Sequence, residues 1–200
     1  MADGTTTTTY PASNLVSSPF IGISKLHVAP LLTDVAGAAP TYSTMIDLGK
    51  LLRKIDIKPK NNSTDLYADD QSIDTAANMS YCDLTFDIAT LPLEYKAMLL
   101  GHKIDAGVMV VNKDDVAPYF GIAFQCNKRN GKRRFYKFTK VQFSEPNESP
   151  ETKAESLKYN TPTIDGKAIF PLGDGNIYKS ADEEATGFVA DTATSWYTTF

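Results

Sequence analysis

The run YCDLTFDIAT, residues 81–90, constrains this chain most. Cys82, Leu84, Phe86 and Ile88 alternate with Asp83, Thr85 and Asp87. That period of two belongs to an extended strand with one buried and one open face. Residues 51–60 supply a candidate neighbour, with Ile55 and Ile57 on one face and Lys54, Asp56 and Lys58 on the other. Downstream, Phe120, Ile122 and Phe124 alternate with Gly121, Ala123 and Gln125. Asn130 and Gly131 then provide a two-residue turn that tolerates positive φ at both positions, so residues 119–126 are expected to form a hairpin with residues 133–143. In that second strand Phe135, Val141 and Phe143 share one parity while Tyr136 and Phe138 take the other. Such a slip predicts a bulge or a strand covered on both faces.

Further strands are expected at 21–28 and 108–111, and a second hairpin at 156–164 and 167–170 across Asp165 and Gly166. Pro92 in a first turn and Gly101 in a left-handed terminal position bound a helix over 92–100, with Leu93, Ala97 and Leu100 on its packing face. A short helix is expected near 191–197. The polar stretch 59–80 reads as a long loop, and loops beyond about 12–15 residues tend to be functional. The fold class is therefore mainly β: a β-sandwich or barrel-like sheet over 21–170 with one flanking α-helix, an extended N-terminal arm at 1–20 and a C-terminal arm at 171–200.

The chain has 200 residues, enough for one domain with a full core, and its apolar fraction of 42% and charged fraction of 22% are ordinary for a globular protein. No stretch approaches the roughly 20 apolar residues of a membrane span, and the Thr-rich start lacks the pattern of a secretory leader, so no membrane insertion is expected and folding is expected in a cytoplasm. Cys82 and Cys126 share strand faces with bulky hydrophobes and read as buried thiols. His27 and His102 have no metal-ligand spacing and no evident orienting partner, and neither a nucleophile elbow nor a phosphate-binding loop occurs. The acids Asp65, Asp69, Asp70 and Asp74 lack the spacing of a calcium loop. No catalytic residue, metal or cofactor is assigned.

Charge is unevenly spread. Lys128, Arg129, Lys132, Arg133, Arg134, Lys137 and Lys140 fall in a span without an acid; taking those seven charges from the net of −4 leaves −11 elsewhere. Opposite poles of this kind can draw copies together head to tail. The basic turn, interleaved with Phe135, Tyr136 and Phe138, is also the one feature suited to nucleic acid, although a pI near 5.2 is unlike a dedicated binder.

Several phrases together resemble the major tail protein (tail tube protein) of long-tailed, non-contractile bacteriophages. They are Ile21-Gly22-Ile23-Ser24-Lys25-Leu26-His27, Leu66-Tyr67-Ala68-Asp69-Asp70, Leu91-Pro92-Leu93, Leu100-Gly101-His102, Asp115-Val116-Ala117-Pro118-Tyr119, Glu151-Thr152-Lys153, Tyr159-Asn160-Thr161-Pro162-Thr163 and the late Trp196. The resemblance implies a tail-tube module that self-assembles into homohexameric rings stacked as the tail tube, a conduit for DNA delivery into the host. Implied partners are further copies of the chain, the tape-measure protein, and the tail-tip and tail-terminator proteins. Double-stranded DNA would pass through transiently without specific binding. The place of action would be the virion tail, assembled in the bacterial cytoplasm, and an added C-terminal immunoglobulin-like decoration is not expected.

On this reading Lys54, Asp56, Lys58, Asp83, Thr85 and Asp87 are candidates for the lumen face. Candidates for subunit or ring contacts are Leu66, Tyr67, Asp69, Asp70, Lys128, Arg129, Lys132, Arg133, Arg134, Glu148, Glu151 and Trp196. The Thr-rich arm and the basic turn depart from what the family leads one to expect. The competing expectation is a monomeric β-sandwich that binds carbohydrate or nucleic acid through exposed aromatic platforms.

Overall fold

The computed structural model describes residues 17–68, 71–148 and 161–200. In chain order the elements are β1 (Phe20–Thr33), β2 (Thr41–Tyr42), β3 (Ile46–Asp47), β4 (Leu52–Ala68), β5 (Gln71–Ile88), α1 (Leu93–Leu100), β6 (Lys103–Asp105), β7 (Val108–Val110), β8 (Tyr119–Lys128), β9 (Arg133–Phe143), β10 (Thr163–Ala168), β11 (Tyr178–Asp182) and α2 (Ala190–Ser195). One antiparallel sheet runs in the order β2-β1-β8-β9-β10-β5-β4, with β11 also on β9 and β3 also on β1. β6 and β7 form a separate two-stranded ribbon. The sheet curls until β1 comes back against β4, which gives the barrel-like form.

The core lies inside that curl. Cys82, Leu84, Phe86 and Ile88 are all buried, as their alternation requires, and they meet Phe120, Ile122 and Phe124 of β8, Ile164 of β10, and Leu99 and Leu100 of α1. Ile55 and Ile57 of β4 pair with Phe86 and Leu84 and pack against the same cluster. Pro92 caps α1 without a side-chain hydrogen bond, and Gly101 ends it in the left-handed region at φ 77°. Leu93 is largely exposed, so the packing face is Ala97, Leu99 and Leu100 rather than the triplet the sequence pointed to.

Gly101 is required twice over. A Cβ there would sit 2.3 Å from the carbonyl oxygen of Val116, on a backbone conformation that side chains disfavour. Gly101→Ala is expected to cost roughly 1–3 kcal/mol, read as a lowered midpoint in urea with an unchanged slope.

Both readings of the parity slip hold. Phe120 pairs with Val141 but Ile122 with Phe138, so β9 carries one extra residue between them. That bulge moves Val141 and Phe143 onto the inner face already held by Tyr136 and Phe138. Phe135 lies on the outer face, where Trp196, Tyr197 and Phe188 cover it. The same cover explains why Gly121 and Ala123 are buried: a Cβ on Gly121 would fall 2.5 Å from the Phe200 ring.

Two expectations need correction. The stretch 59–80 is not a loop: β4 runs to Ala68 and β5 starts at Gln71, and they stay paired from Lys60 opposite Tyr81 to Ala68 opposite Gln71. Its polar residues alternate too weakly to signal a strand, but pairing with the strongly patterned half of the same hairpin carries them along. Likewise Asp165 and Gly166 do not turn the chain. They lie within β10, where Gly166 faces Leu84 and Phe143 across the ladders. A side chain at Gly166 would crowd Val141 at 3.1 Å, so this glycine serves packing. Residues 149–160, including most of the first strand of that expected hairpin, lie outside the described residues.

Candidate assembly interface

The six residues assigned to a lumen face do share one face. Across β4, β5 and β10 the register sets Lys54 beside Asp87 and Thr163, Asp56 beside Thr85 and Asp165, and Lys58 beside Asp83 and Lys167. Every cation of this grid has an acid as a ladder neighbour, the arrangement that stabilises cross-strand pairs. Lys54 Nζ donates to Asp56 Oδ2 at 2.6 Å, and that hydrogen bond, aided by Coulomb attraction to Lys54 and Lys58, holds the Asp56 carboxyl below its ordinary range. Thr85 Oγ1 donates to Asp165 Oδ1 at 2.8 Å. Lys167 Nζ stands 3.8 Å from the Tyr81 ring centre. Asp87 Oδ1 is shielded from solvent and has no hydrogen-bond partner among the described residues, with Arg53 Nη1 3.6 Å away. The sequence reading missed Thr163, Asp165 and Lys167 because it took Asp165 for a turn.

The basic turn turns inward. Lys128, with its side chain wholly enclosed, donates to both Asp182 oxygens at 2.6 and 2.7 Å and also to Glu184. Burial opposes its charge, but the hydrogen bonds to Asp182 and Glu184 win and raise its pKa. Arg133 binds Glu183 through Nε at 3.0 Å and Nη2 at 2.6 Å, and Arg134 Nε donates to Asp182 at 2.6 Å. The opposite poles seen in the sequence thus meet within one subunit, at β9 and the end of β11. Arg129 and Lys132 stay exposed and hold no ion pair among the described residues. The aromatics of this hairpin are also spent internally: Tyr136 stacks on Phe124 at 5.2 Å and Phe135 lies under Trp196 at 5.7 Å. No open stacking platform for nucleic acid or sugar remains on the hairpin.

The other contact candidates separate in the same way. Trp196 donates from its indole to Tyr136 O at 3.3 Å and sits 4.9 Å from Lys137 Nζ, so it is part of the C-terminal cover. Glu148 accepts from Lys96 at 2.8 Å. Leu66 and Tyr67 lie on β4 opposite Asp74 and Ser72. Asp69, Asp70 and Glu151 lie outside the described residues.

His27 Nδ1 lies 3.2 Å from Lys25 O, but His102 stands between two carboxylates, which no local pattern in the sequence signalled. Asp115 lies 2.8 Å from its Nδ1 and Glu145 lies 2.5 Å from its Nε2. A neutral imidazole has a single N–H, so two carboxylates are served only by the doubly protonated ring. The hydrogen bond to Asp115 raises the His102 pKa above its ordinary 6.5 against the opposing effect of burial, with Glu145 adding to the rise. Asp115 is lowered, first by the Asn112 N–H and then by His102. A raised histidine stabilises fully below 6.5 and loses that contribution as pH climbs through the folded value; the lowered Asp115 contributes above 3.8 and loses it as pH falls. Amide-exchange protection at 112–117 and 144–148 is therefore expected to decline as pH rises above 6.5, and His102→Gln should flatten that dependence.

Among the described residues no cluster of histidine, cysteine or carboxylates could hold a metal ion, and no helix is long and apolar enough to cross a membrane. Beyond Ala168 the sheet forks. β9 continues with β11 from Phe138 to Arg134, while among the described residues the distal half of β5, from Gln71 to Tyr81, has only β4 beside it. A ribbon of two strands is marginal alone in water, and its free edges are templates for further pairing. Fold and surface define a structural β module made for contact with other protein chains. The family described as phage tail tube protein matches residues 59–195, and the chain belongs to it. It is a structural component of the tail tube of a phage virion. No curated protein matches the chain.

Proposed function

We propose that the chain forms hexameric rings that stack into the tube of a long, non-contractile tail, housing the tape-measure protein during assembly and conducting DNA during ejection. Tail-tip and tail-terminator proteins would bound the stack. The observation that carries this reading is the forked sheet, whose long β4 edge and β4–β5 ribbon have no further strand partner among the described residues. Joining such edges around a ring turns them into a continuous inner wall and removes the hazard of uncontrolled pairing.

The grid of β4, β5 and β10 is proposed as the lumen wall. Lys54, Lys58 and Lys167 are set against Asp56, Asp83, Asp87 and Asp165, so this patch is close to neutral with a slight acidic excess. DNA is held by rows of cations that displace its counterions, and Lys54, Lys58 and Lys167 each stand beside an acid that offsets them, while Lys60 stands opposite Tyr81. Replacing both Asp83 and Asp87 by Lys should leave tubes standing while slowing DNA passage, most strongly at low salt. Unchanged ejection by virions carrying that double variant would remove the lumen assignment and leave the tube.

A further inference from the structure

Asn130-Gly131 is the one Asn-Gly pair in the chain, and it forms the tip of the turn between β8 and β9. Asparagine before glycine is the pair most open to ring closure on its own backbone, because no Cβ on the following residue shields the amide nitrogen from the side chain. Closure asks two things of the turn. The Gly131 nitrogen must give up its proton, and the Asn130 amide must swing until Cγ presents its face to that nitrogen. Three hydrogen bonds oppose this. The Gly131 N–H donates to Lys128 O at 3.0 Å, the Lys132 N–H donates to Asn130 Oδ1 at 3.1 Å, and Asn130 Nδ2 donates to Glu184 Oε1. A carboxylate only accepts and a backbone N–H only donates, so the amide can face one way only and is held at both ends. The bond to the ionised Glu184 is the strongest of the three. Glu184 is itself fixed: it also accepts from Lys128, from Ser17 Oγ at 2.9 Å and from the Ser18 N–H at 3.2 Å.

We propose that Asn130 is a site of spontaneous deamidation that Glu184 holds shut in the folded subunit. When the turn opens, the Gly131 nitrogen attacks Asn130 Cγ and a C–N bond forms. The side-chain nitrogen leaves as ammonia, carrying the proton that Gly131 gives up. Water then opens the cyclic imide at either carbonyl and leaves aspartate or isoaspartate at position 130. Either product sets a carboxylate opposite Glu184 where a donor stood. Two like charges cannot remake that bond, so an opening that was reversible becomes permanent, and the hold of Glu184 on Ser17 and Ser18 loosens with it. The chemistry is independent of tube assembly.

The test follows position 130 by peptide mapping at mildly alkaline pH in the folded parent, Glu184→Ala, Arg133→Gln and a free peptide of residues 127–134. Conversion adds about 1 Da, and isoaspartate is counted by labelling with an isoaspartyl methyltransferase. The parent should convert at least about tenfold more slowly than the peptide, and Glu184→Ala should recover most of the peptide's rate. Arg133→Gln breaks the ion pair with Glu183 at the same hairpin end without touching Asn130, so it should keep the parent's rate. A parent as fast as the peptide, Glu184→Ala as slow as the parent, or Arg133→Gln as fast as Glu184→Ala would each overturn the proposal. Asn130→Asp builds one product directly and serves if Glu184→Ala does not fold: amide exchange at Ser18 is expected to quicken about tenfold, and unchanged exchange there would overturn the proposal as well.

Discussion

Lys128→Met is expected to destabilise the subunit by about 3–5 kcal/mol, a fall in melting temperature on the order of 10 °C. The reason is what the substitution leaves behind. Lys128 Nζ is the shared donor for Asp182 and Glu184 in a place its own side chain cannot escape. Without it, Asp182 keeps Arg134 and the Glu184 N–H, and Glu184 keeps Ser17, the Ser18 N–H and Asn130. Breaking one member of a buried ion cluster costs more than the cluster gains over an apolar replacement, because the remaining charges stay in place. The same cluster sets an acid dependence. Glu184 is held down to about 2, first by the hydrogen bond from Lys128, and Asp182 is lowered by Lys128, the Glu184 N–H and Arg134 in spite of burial. Groups lowered in the folded state stabilise above their ordinary values and lose that contribution as pH falls through the folded ones. The parent should therefore lose stability between about pH 4 and pH 2, and Lys128→Met should lose less over that range. An equal drop in both proteins, measured by urea melts across the series, would remove the cluster from the account.

The second large effect concerns assembly. Replacing residues 61–80 by Asn-Gly joins Lys60 to Tyr81, which already face each other, through a turn suited to strand pairing. Of the excised side chains that the structure describes, Asn61, Asn62, Ser63, Ala77 and Asn78 are exposed, and Met79 packs against the apolar cluster. The shortened subunit should keep its fold with a melting temperature within a few degrees of the parent. It should fail to form tubes at concentrations where the parent does, because on the proposed reading the projecting half of the hairpin pairs with another chain. Tubes of normal length from the shortened subunit would show that the ribbon is dispensable decoration.

Legibility in the sequence followed burial. Where one face is apolar and the other polar, as in Cys82–Ile88 and Phe120–Phe124, the period of two locates the strand, and the Asn130-Gly131 turn locates its partner. Pro92 and Gly101 bound α1 for local reasons of backbone geometry, which need no tertiary knowledge. The distal β4–β5 ribbon was hidden because its polar residues carry no alternation that would mark a strand. Gly166 misled because glycine serves both turns and close packing, and only the nearness of Val141 and Phe86 decides between them. Polar faces were readable one strand at a time. That Asp56, Thr85 and Asp165 stand in one row depends on register, which the sequence carries only weakly. The inward pairing of Lys128 with Asp182 and Glu184 spans more than fifty residues and has no local signature. A basic run therefore looked like a surface meant for a neighbour.

The most direct test is negative-stain electron microscopy of the purified chain over a range of concentrations, with sedimentation velocity on the same samples. The account predicts annular particles of six copies and hollow tubes with a regular axial repeat. A single slow species up to millimolar concentration, with no rings on the grid and the β4 edge protected from amide exchange within the lone subunit, would contradict it.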